Sequence, residues 1–173
     1  MEVVRYNPRW PQMFEELQAV LQNALGISCR RIEHVGSTSV PGLDAKPIID
    51  MDAVVAAKDL RQAIEILARL GYIHQGDLGI HGREAFARET EDVPHSGRKR
   101  TWPAHHLYVC PEDSPELARH LAFRDCLRAN QELATQYGTL KSDLAKRYKS
   151  DREAYTLAKT DFIENALRVK CVS

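Results

Sequence analysis

Residues 47–55, Pro-Ile-Ile-Asp-Met-Asp-Ala-Val-Val, are apolar and β-branched enough for a central strand, yet they carry two carboxylates. Side chains alternate along a strand. Asp50 and Asp52 therefore point to one face, and Ile49, Met51 and Ala53 to the other. Two acids projecting together repel each other, and burying them unpaired is costly. A divalent cation beside them removes both problems, and Mg²⁺ (or Mn²⁺) favours carboxylate oxygen. Solvation at a strand end, or pairing with arginine, answers the same need. Any fold for this chain has to seat one face of this strand on a core and give the other face compensating charge.

Around that strand the pattern mixes helices and strands. Phe14, Leu17, Val20, Leu21 and Leu25 recur at helical spacing, which predicts a helix over 10–25 with Asn7-Pro8 before it and Gly26 as its stop. Residues 30–35, 72–74, 83–88 and 105–110 read as strands, and 59–70 as an amphipathic helix. Residues 90–103 are polar, carry Arg98-Lys99-Arg100 and read as a mobile loop, with Trp102 either anchoring it or free to stack on a base. Ser114-Pro115-Glu116 combines a capping hydroxyl, proline at the first helical position and an acid in the first turn. From there to residue 169 the pattern is helical, with breaks expected near Asn130 and Ser150. The expected fold is α+β: a mixed sheet flanked by helices, with a C-terminal helical segment packed on the same core. We expect a single domain over 1–173, an α/β core (1–113) and a helical part (114–173), with no linker between them.

Chemistry concentrates at residues 34–55. The predicted strand 30–35 runs directly into Gly36-Ser37. Glycine permits close backbone approach, and Ser37 offers an N–H and a hydroxyl to a phosphate oxygen. Thr38 and Ser39 add donors. A Gly-Ser pair alone is equally a plain polar turn, and the segment is neither a P-loop nor a dinucleotide fingerprint. Its weight lies in the order strand, Gly-Ser, loop, strand, Asp-x-Asp. That order resembles the nucleotidyltransferase superfamily related to DNA polymerase β. More closely, His34-Val-Gly-Ser-Thr-Ser-Val-Pro-Gly-Leu and Ala45-Lys-Pro-Ile-Ile-Asp resemble the GrpB family. So do His106-Leu-Tyr-Val, Phe123-Arg-Asp-Cys-Leu-Arg, Leu140-Lys141, Tyr155 with Lys159, and Phe162-Ile163, so the likeness runs nearly the whole chain.

The resemblance implies a nucleotidyltransferase fold in which Gly36, Ser37 and Ser39 hold nucleotide phosphates and Asp50 and Asp52 hold two divalent ions. Lys46, Arg83, Arg124, Lys141 and Lys159 would add phosphate-binding cations. The family domain also occurs behind dephospho-CoA kinase; this chain lacks the kinase P-loop and would be the stand-alone form. Related polymerases use a third carboxylate from a later strand. The strand 105–110 has none, but it offers His106 as a ligand or base, with Glu84 and Glu89 as alternative acids. His105, His95, His81 and His74 are expected in solvent.

Composition narrows the partners. Lys plus Arg and Asp plus Glu are both 24 in 173 residues. A neutral total argues against long nucleic acid and against a polybasic membrane binder. Residues 115–173 nonetheless hold eleven Lys and Arg against eight acids, a local excess suited to a small polyanion. Cys29, Cys110, Cys126 and Cys171 include no C-x-x-C and are expected to be reduced thiols. The longest wholly aliphatic stretch is 53–57, far short of the roughly 20 residues of a spanning helix, and no secretory signal is evident. A cytoplasmic protein is expected. The function expected is transfer of a nucleoside monophosphate from an NTP to a small-molecule acceptor. The alternatives are a nucleotide-binding or sensing module without turnover, and an accessory domain for a partner protein such as a coenzyme A biosynthetic enzyme.

Overall fold

A computed structural model of the chain describes residues 3–148, 151–169 and 171. The elements run α1 (Trp10–Leu25), β1 (Cys29–Val35), β2 (Ile49–Val55), α2 (Leu60–Arg69), β3 (Ile73–His74), β4 (Glu84–Ala87), β5 (His105–Pro111), α3 (Pro115–Ala129), α4 (Gln131–Arg147) and α5 (Arg152–Val169). They form a five-stranded mixed sheet of order β1-β2-β5-β4-β3, in which only β2 and β5 run parallel. The α+β expectation agrees with this architecture.

The alternation read along β2 is what divides the molecule. Ile49, Met51, Ala53 and Val55 join Leu107 and Val109 of β5 in the main apolar core, covered by Leu17, Leu21 and Leu25 of α1 and Ala63 and Leu67 of α2. Asp50, Asp52 and Val54 face the other way, toward the C-terminal helices. There Val54, Cys110 and Leu117 make a small cluster. A third cluster joins Val40 and Leu43, from the β1–β2 loop, to Leu127, Leu133, Ala134, Tyr137 and Ala166. The helical third thus packs on the side of the sheet that bears the acids, through apolar clusters of its own.

Helix ends follow the local chemistry. Ser114 Oγ accepts from the Leu117 N–H (3.2 Å), with Pro115 at the first position of α3. Asn130 separates α3 from α4 and caps the latter, its Oδ1 accepting from the Leu133 N–H (2.9 Å). The break expected at Ser150 lies outside the described residues.

Three expectations are corrected. The 90–103 loop is pinned rather than free: Val93 and Trp102 are buried in the main core, and the Trp102 indole N–H donates to the Pro94 carbonyl (2.9 Å). Arg100 lies over the Trp102 ring and pairs with Glu16 of α1, so the basic run sits on the α1 side of the sheet, away from Asp50. His105 is buried; its Nδ1–H donates to the Pro103 carbonyl (2.8 Å), and Nε2 accepts from the Tyr72 hydroxyl (2.7 Å). Cys126 and Cys171 form a disulfide, because the α3–α5 packing brings their Cα atoms to 5.4 Å. Cys29 and Cys110 are free and buried, as expected. Among the described residues no helix is long and apolar enough to cross a membrane.

Candidate active site

The site begins where β1 ends. Gly36 has φ +71°, a region that L side chains rarely adopt, and a Cβ there would collide with the Asp50 carboxylate. Residues Ser37–Ser39 then form a single tight helical turn. Ser39 Oγ closes it by donating to the Gly36 carbonyl (2.6 Å), and the Thr38 hydroxyl donates to the Ile48 carbonyl (3.0 Å). Thr38 and Ser39 are therefore spent on holding the turn. Ser37 is half-buried, and its side chain hydrogen-bonds with the Tyr137 hydroxyl.

Two cavities of about 200 Å³ each flank this turn, and Ser37 and Asp50 line both. One is lined by Lys46, Lys141 and Lys159 together with His106 and Tyr155. The other is lined by Arg83, Arg119, His120 and Arg124 with an apolar floor. Of the expected phosphate-binding cations, Lys46, Lys141 and Lys159 thus gather in the first cavity, and Arg83 and Arg124 in the second. Ser39 lines neither.

The two aspartates meet different fates. Asp50 stands beside His106 across the parallel β2–β5 pair, and His106 Nδ1–H donates to Asp50 Oδ1 (2.8 Å). Both groups remain partly open to solvent. Asp52 is fully buried, and its Oδ2 accepts from His120 Nδ1–H of α3 (2.7 Å). The other His120 nitrogen meets Glu116 Oε1 at 3.0 Å. With a carboxylate against each nitrogen the imidazole needs both protons. Burial works against that charge, but the bonds to Asp52 and Glu116 prevail and raise its pKa to about 9. His120 is thus a built-in cation on the acid-bearing face.

Asp52 Oδ1 is buried without a hydrogen-bond partner. Such an orphan, two residues from the half-open Asp50, suits a hard divalent ion. Mg²⁺ commonly takes one or two carboxylates and fills its shell from water and substrate phosphates. Among the described residues no three His, Cys, Asp or Glu side chains gather as a metal site. The donor set therefore fits an ion carried in on a nucleotide rather than one held by protein alone. Opposite Asp50, where a third acid would help hold a second ion, β5 brings His106. Glu84 and Glu89 line neither cavity, and Glu84 is taken by His74 (2.6 Å).

The cations are individually placed. Lys141 is 3% exposed, and its ammonium donates to the Asp44 carbonyl (2.7 Å). Burial first, then the charge of Lys159, pushes its pKa down to about 7. Lys46 and Lys159 lie at 4.2 and 4.5 Å from the centroid of the Tyr155 ring. Arg124 donates to Glu33 (2.7 Å) and to the His34 carbonyl (3.1 Å), tying α3 to the end of β1. Arg128 donates through two nitrogens to the Ser39 carbonyl, at 2.8 and 3.0 Å.

Besides Arg119, sequence reading missed three participants. Glu33 pairs with Asp52 in the antiparallel β1–β2 register, so a third carboxylate does lie on this face, engaged by Arg124 and Arg31. Those guanidiniums hold its pKa below the usual carboxylate value despite burial. Glu116 and His120 are four apart on a predicted helix, a visible spacing, but nothing local says that this helix face meets β2.

A family model described as GrpB protein matches residues 1–168. The chain is 35% identical over 167 residues to UPF0157 protein YqkA of Bacillus subtilis, covering 96% of this chain and 46% of that protein. It is 31% identical over 167 residues to glutamate-rich protein GrpB of Alkalihalophilus pseudofirmus, covering 95% and 92%. The chain therefore spans about half the length of YqkA and nearly all of the second relative. A dephospho-CoA kinase of Mycolicibacterium paratuberculosis is 26% identical over 186 residues, 45% of its length. Among solved structures, conserved protein GrpB from Enterococcus faecalis superposes with TM-score 0.78 at 33% identity over 96% of this chain and 98% of that one. Cid1 in complex with the UTP analogue UMPNPP superposes with TM-score 0.52 at 12% identity, over 84% and 42%. That last likeness shows a shared nucleotidyltransferase-type fold.

Proposed function

The chain belongs to the GrpB family, and from that premise we propose that it transfers a nucleoside monophosphate from an NTP to a small acceptor. One observation carries this reading. Ser37 and Asp50 line two cavities at once, and they stand where the two meet. A group transfer needs two substrates brought to one point, and a binding module needs only one. The lysine-lined cavity suits the triphosphate: Lys46, Lys141 and Lys159 offer three ammoniums on the Ser37 side.

In this reading Ser37 and the backbone released by Gly36 orient the phosphates. The acceptor hydroxyl attacks the α-phosphorus. A new P–O bond forms there, the bond to the β-phosphate oxygen breaks, and pyrophosphate leaves. His106 is the base. Its Nδ1–H is held by Asp50, which leaves Nε2 with a lone pair for the hydroxyl proton. Asp50 and Asp52 would hold a divalent ion brought with the nucleotide; when bound, such an ion neutralises phosphate charge and lowers the pKa of the attacking hydroxyl. Lys141, poised by burial to lose its proton near neutrality, regains full charge beside a phosphate.

The second reading is nucleotide binding without turnover. It is favoured by the full burial of Asp52 against His120 and by a histidine instead of an acid opposite Asp50. Likeness to part of a dephospho-CoA kinase supports association with such an enzyme as a further role. Asp50→Asn decides the main reading. Mg²⁺-dependent pyrophosphate release should fall at least about a hundredfold while the melting temperature stays near wild type. Equal turnover in variant and wild type would sink the transferase; binding with no release from wild type would leave the sensing module.

A further inference from the structure

The second cavity has a chemistry of its own. Its walls carry four cationic side chains, Arg83, Arg119, His120 and Arg124, and a single carboxylate, Asp50. The acids that steady these cations stand outside the lining. Glu33 holds Arg124 at 2.7 Å, and Glu116 holds Arg119 at 3.4 Å and His120 at 3.0 Å. Arg119, His120 and Arg124 are each held by a carboxylate, and His120 by a second, Asp52, so that both its ring nitrogens are engaged. Arg83 lacks even that brace. Its guanidinium stacks on the Tyr108 ring at 4.3 Å, and its Nε is buried with no hydrogen-bond partner. A buried N–H without an acceptor costs free energy, which an incoming anionic oxygen would recover.

The floor of the same cavity is apolar, with Phe123, Leu127 and Ile163 facing it. Arginine forks differ from the lysines across the turn. They recognise planar or tetrahedral oxyanions through paired N–H bonds, where an ammonium acts as a point charge. Both cavities open on Asp50, yet each has a distinct set of cations.

We propose that the arginine-lined cavity binds the acceptor, and that the acceptor is a small molecule carrying an anionic group, phosphate or carboxylate, next to a short apolar part. This rests on the transferase reading above. The anion sits on Arg83 and Arg119, the apolar part lies over Phe123 and Leu127, and the acceptor hydroxyl points to Asp50, beyond which His106 lines the lysine cavity. A neutral sugar or alcohol would meet the Arg83 N–H with an uncharged and weaker acceptor.

The test uses calorimetric titration of the whole chain with phenyl phosphate, benzoate and benzyl alcohol, and separately with a non-hydrolysable ATP analogue plus Mg²⁺. One or both anions should bind, and the tighter of the two identifies the anionic group; benzyl alcohol should bind at least about tenfold more weakly than the better anion. Arg83→Gln and Arg119→Gln should each weaken that anion about tenfold and leave the ATP analogue unchanged. Lys159→Gln should do the reverse. Arg83 also borders a hollow beside Ser114, whereas Arg119 lines only the acceptor cavity of the two, so the second variant guards against misassignment. The proposal is overturned if neither anion binds, if the alcohol binds as tightly, if both arginine variants bind like wild type, or if the ATP analogue displaces the anion competitively. Arginine-dependent anion binding without nucleotide binding supports the site and overturns the transferase reading beneath it.

Discussion

At the scale of single residues, the unused histidines say as much about this protein as the reactive one. His34 Nε2–H donates to the Thr38 hydroxyl (3.0 Å), and its ring stacks on Phe14 with centroids 4.6 Å apart. His105 is buried between Tyr72 and Pro103. Burial lowers both pKa values from 6.5 to about 4. Between about 4 and 6.5 the unfolded chain binds more protons than the folded one. Each neutral histidine therefore contributes stability that is fully present above pH 6.5 and is lost as the pH falls through 4, approaching about 3 kcal/mol apiece. Urea unfolding measured from pH 7 to pH 4 should show that decline, and His105→Asn should flatten it. A decline of the same slope in the variant would assign the loss to carboxylates instead. Only His34 carried a sequence signal, by its place in the Gly-Ser motif. His105 reads as polar and was expected in solvent; that Tyr72 would reach it from 33 residues away is not written in either local sequence.

At the scale of elements, α3 does more than cover the sheet. Glu116, His120, Arg124 and Arg128 recur along it at one-turn spacing, and all four are spent on the acid-bearing face or on the Gly-Ser turn. The helix itself is legible from Ser114-Pro115-Glu116. Its orientation is not, because periodicity marks an apolar stripe and these residues are polar. The His120 imidazolium answers the charge problem posed by Asp52, the role assigned from sequence to metal or to arginine. Removing it leaves a fully buried carboxylate uncompensated. His120→Ala should cost about 2–4 kcal/mol in urea unfolding at pH 7, and adding Asp52→Asn should recover at least half. A double variant no better than the single one would show that His120 acts through packing rather than charge.

At the scale of the whole molecule, the neutral total conceals a division of labour. Acids lie on β2, lysines gather on one side of the Ser37 turn, and arginines gather on the other. The helical third carries most of these cations, so its seating on the sheet assembles the site. The Cys126–Cys171 disulfide closes a separation of 45 residues across that part. Reduction, or Cys126→Ser, should destabilise the chain by about 2–4 kcal/mol and lower nucleotide affinity through a looser seating of Lys141 and Lys159. Denaturation with and without reductant checks the first, and titration of the reduced protein the second. A disulfide was not legible, since four scattered cysteines carry no pairing signal.

Local rules determined much by themselves. Periodicity set the helix over 10–25 and most of the strand expected at 47–55, which runs Ile49–Val55, turn chemistry set the break at Asn130, and alternation put Asp50 and Asp52 on a common face opposite the core. These are interactions between residues within a few positions of one another, where backbone sterics and spacing suffice. Tertiary structure alone decided that His106 meets Asp50 across a parallel strand pair, that His120 neutralises Asp52, that Glu33 joins them from β1, and that two cavities share one turn. Each depends on register or on the angle at which a helix lands. Those are fixed by the burial of apolar side chains far away in sequence, while the charged groups are carried into place by the packing.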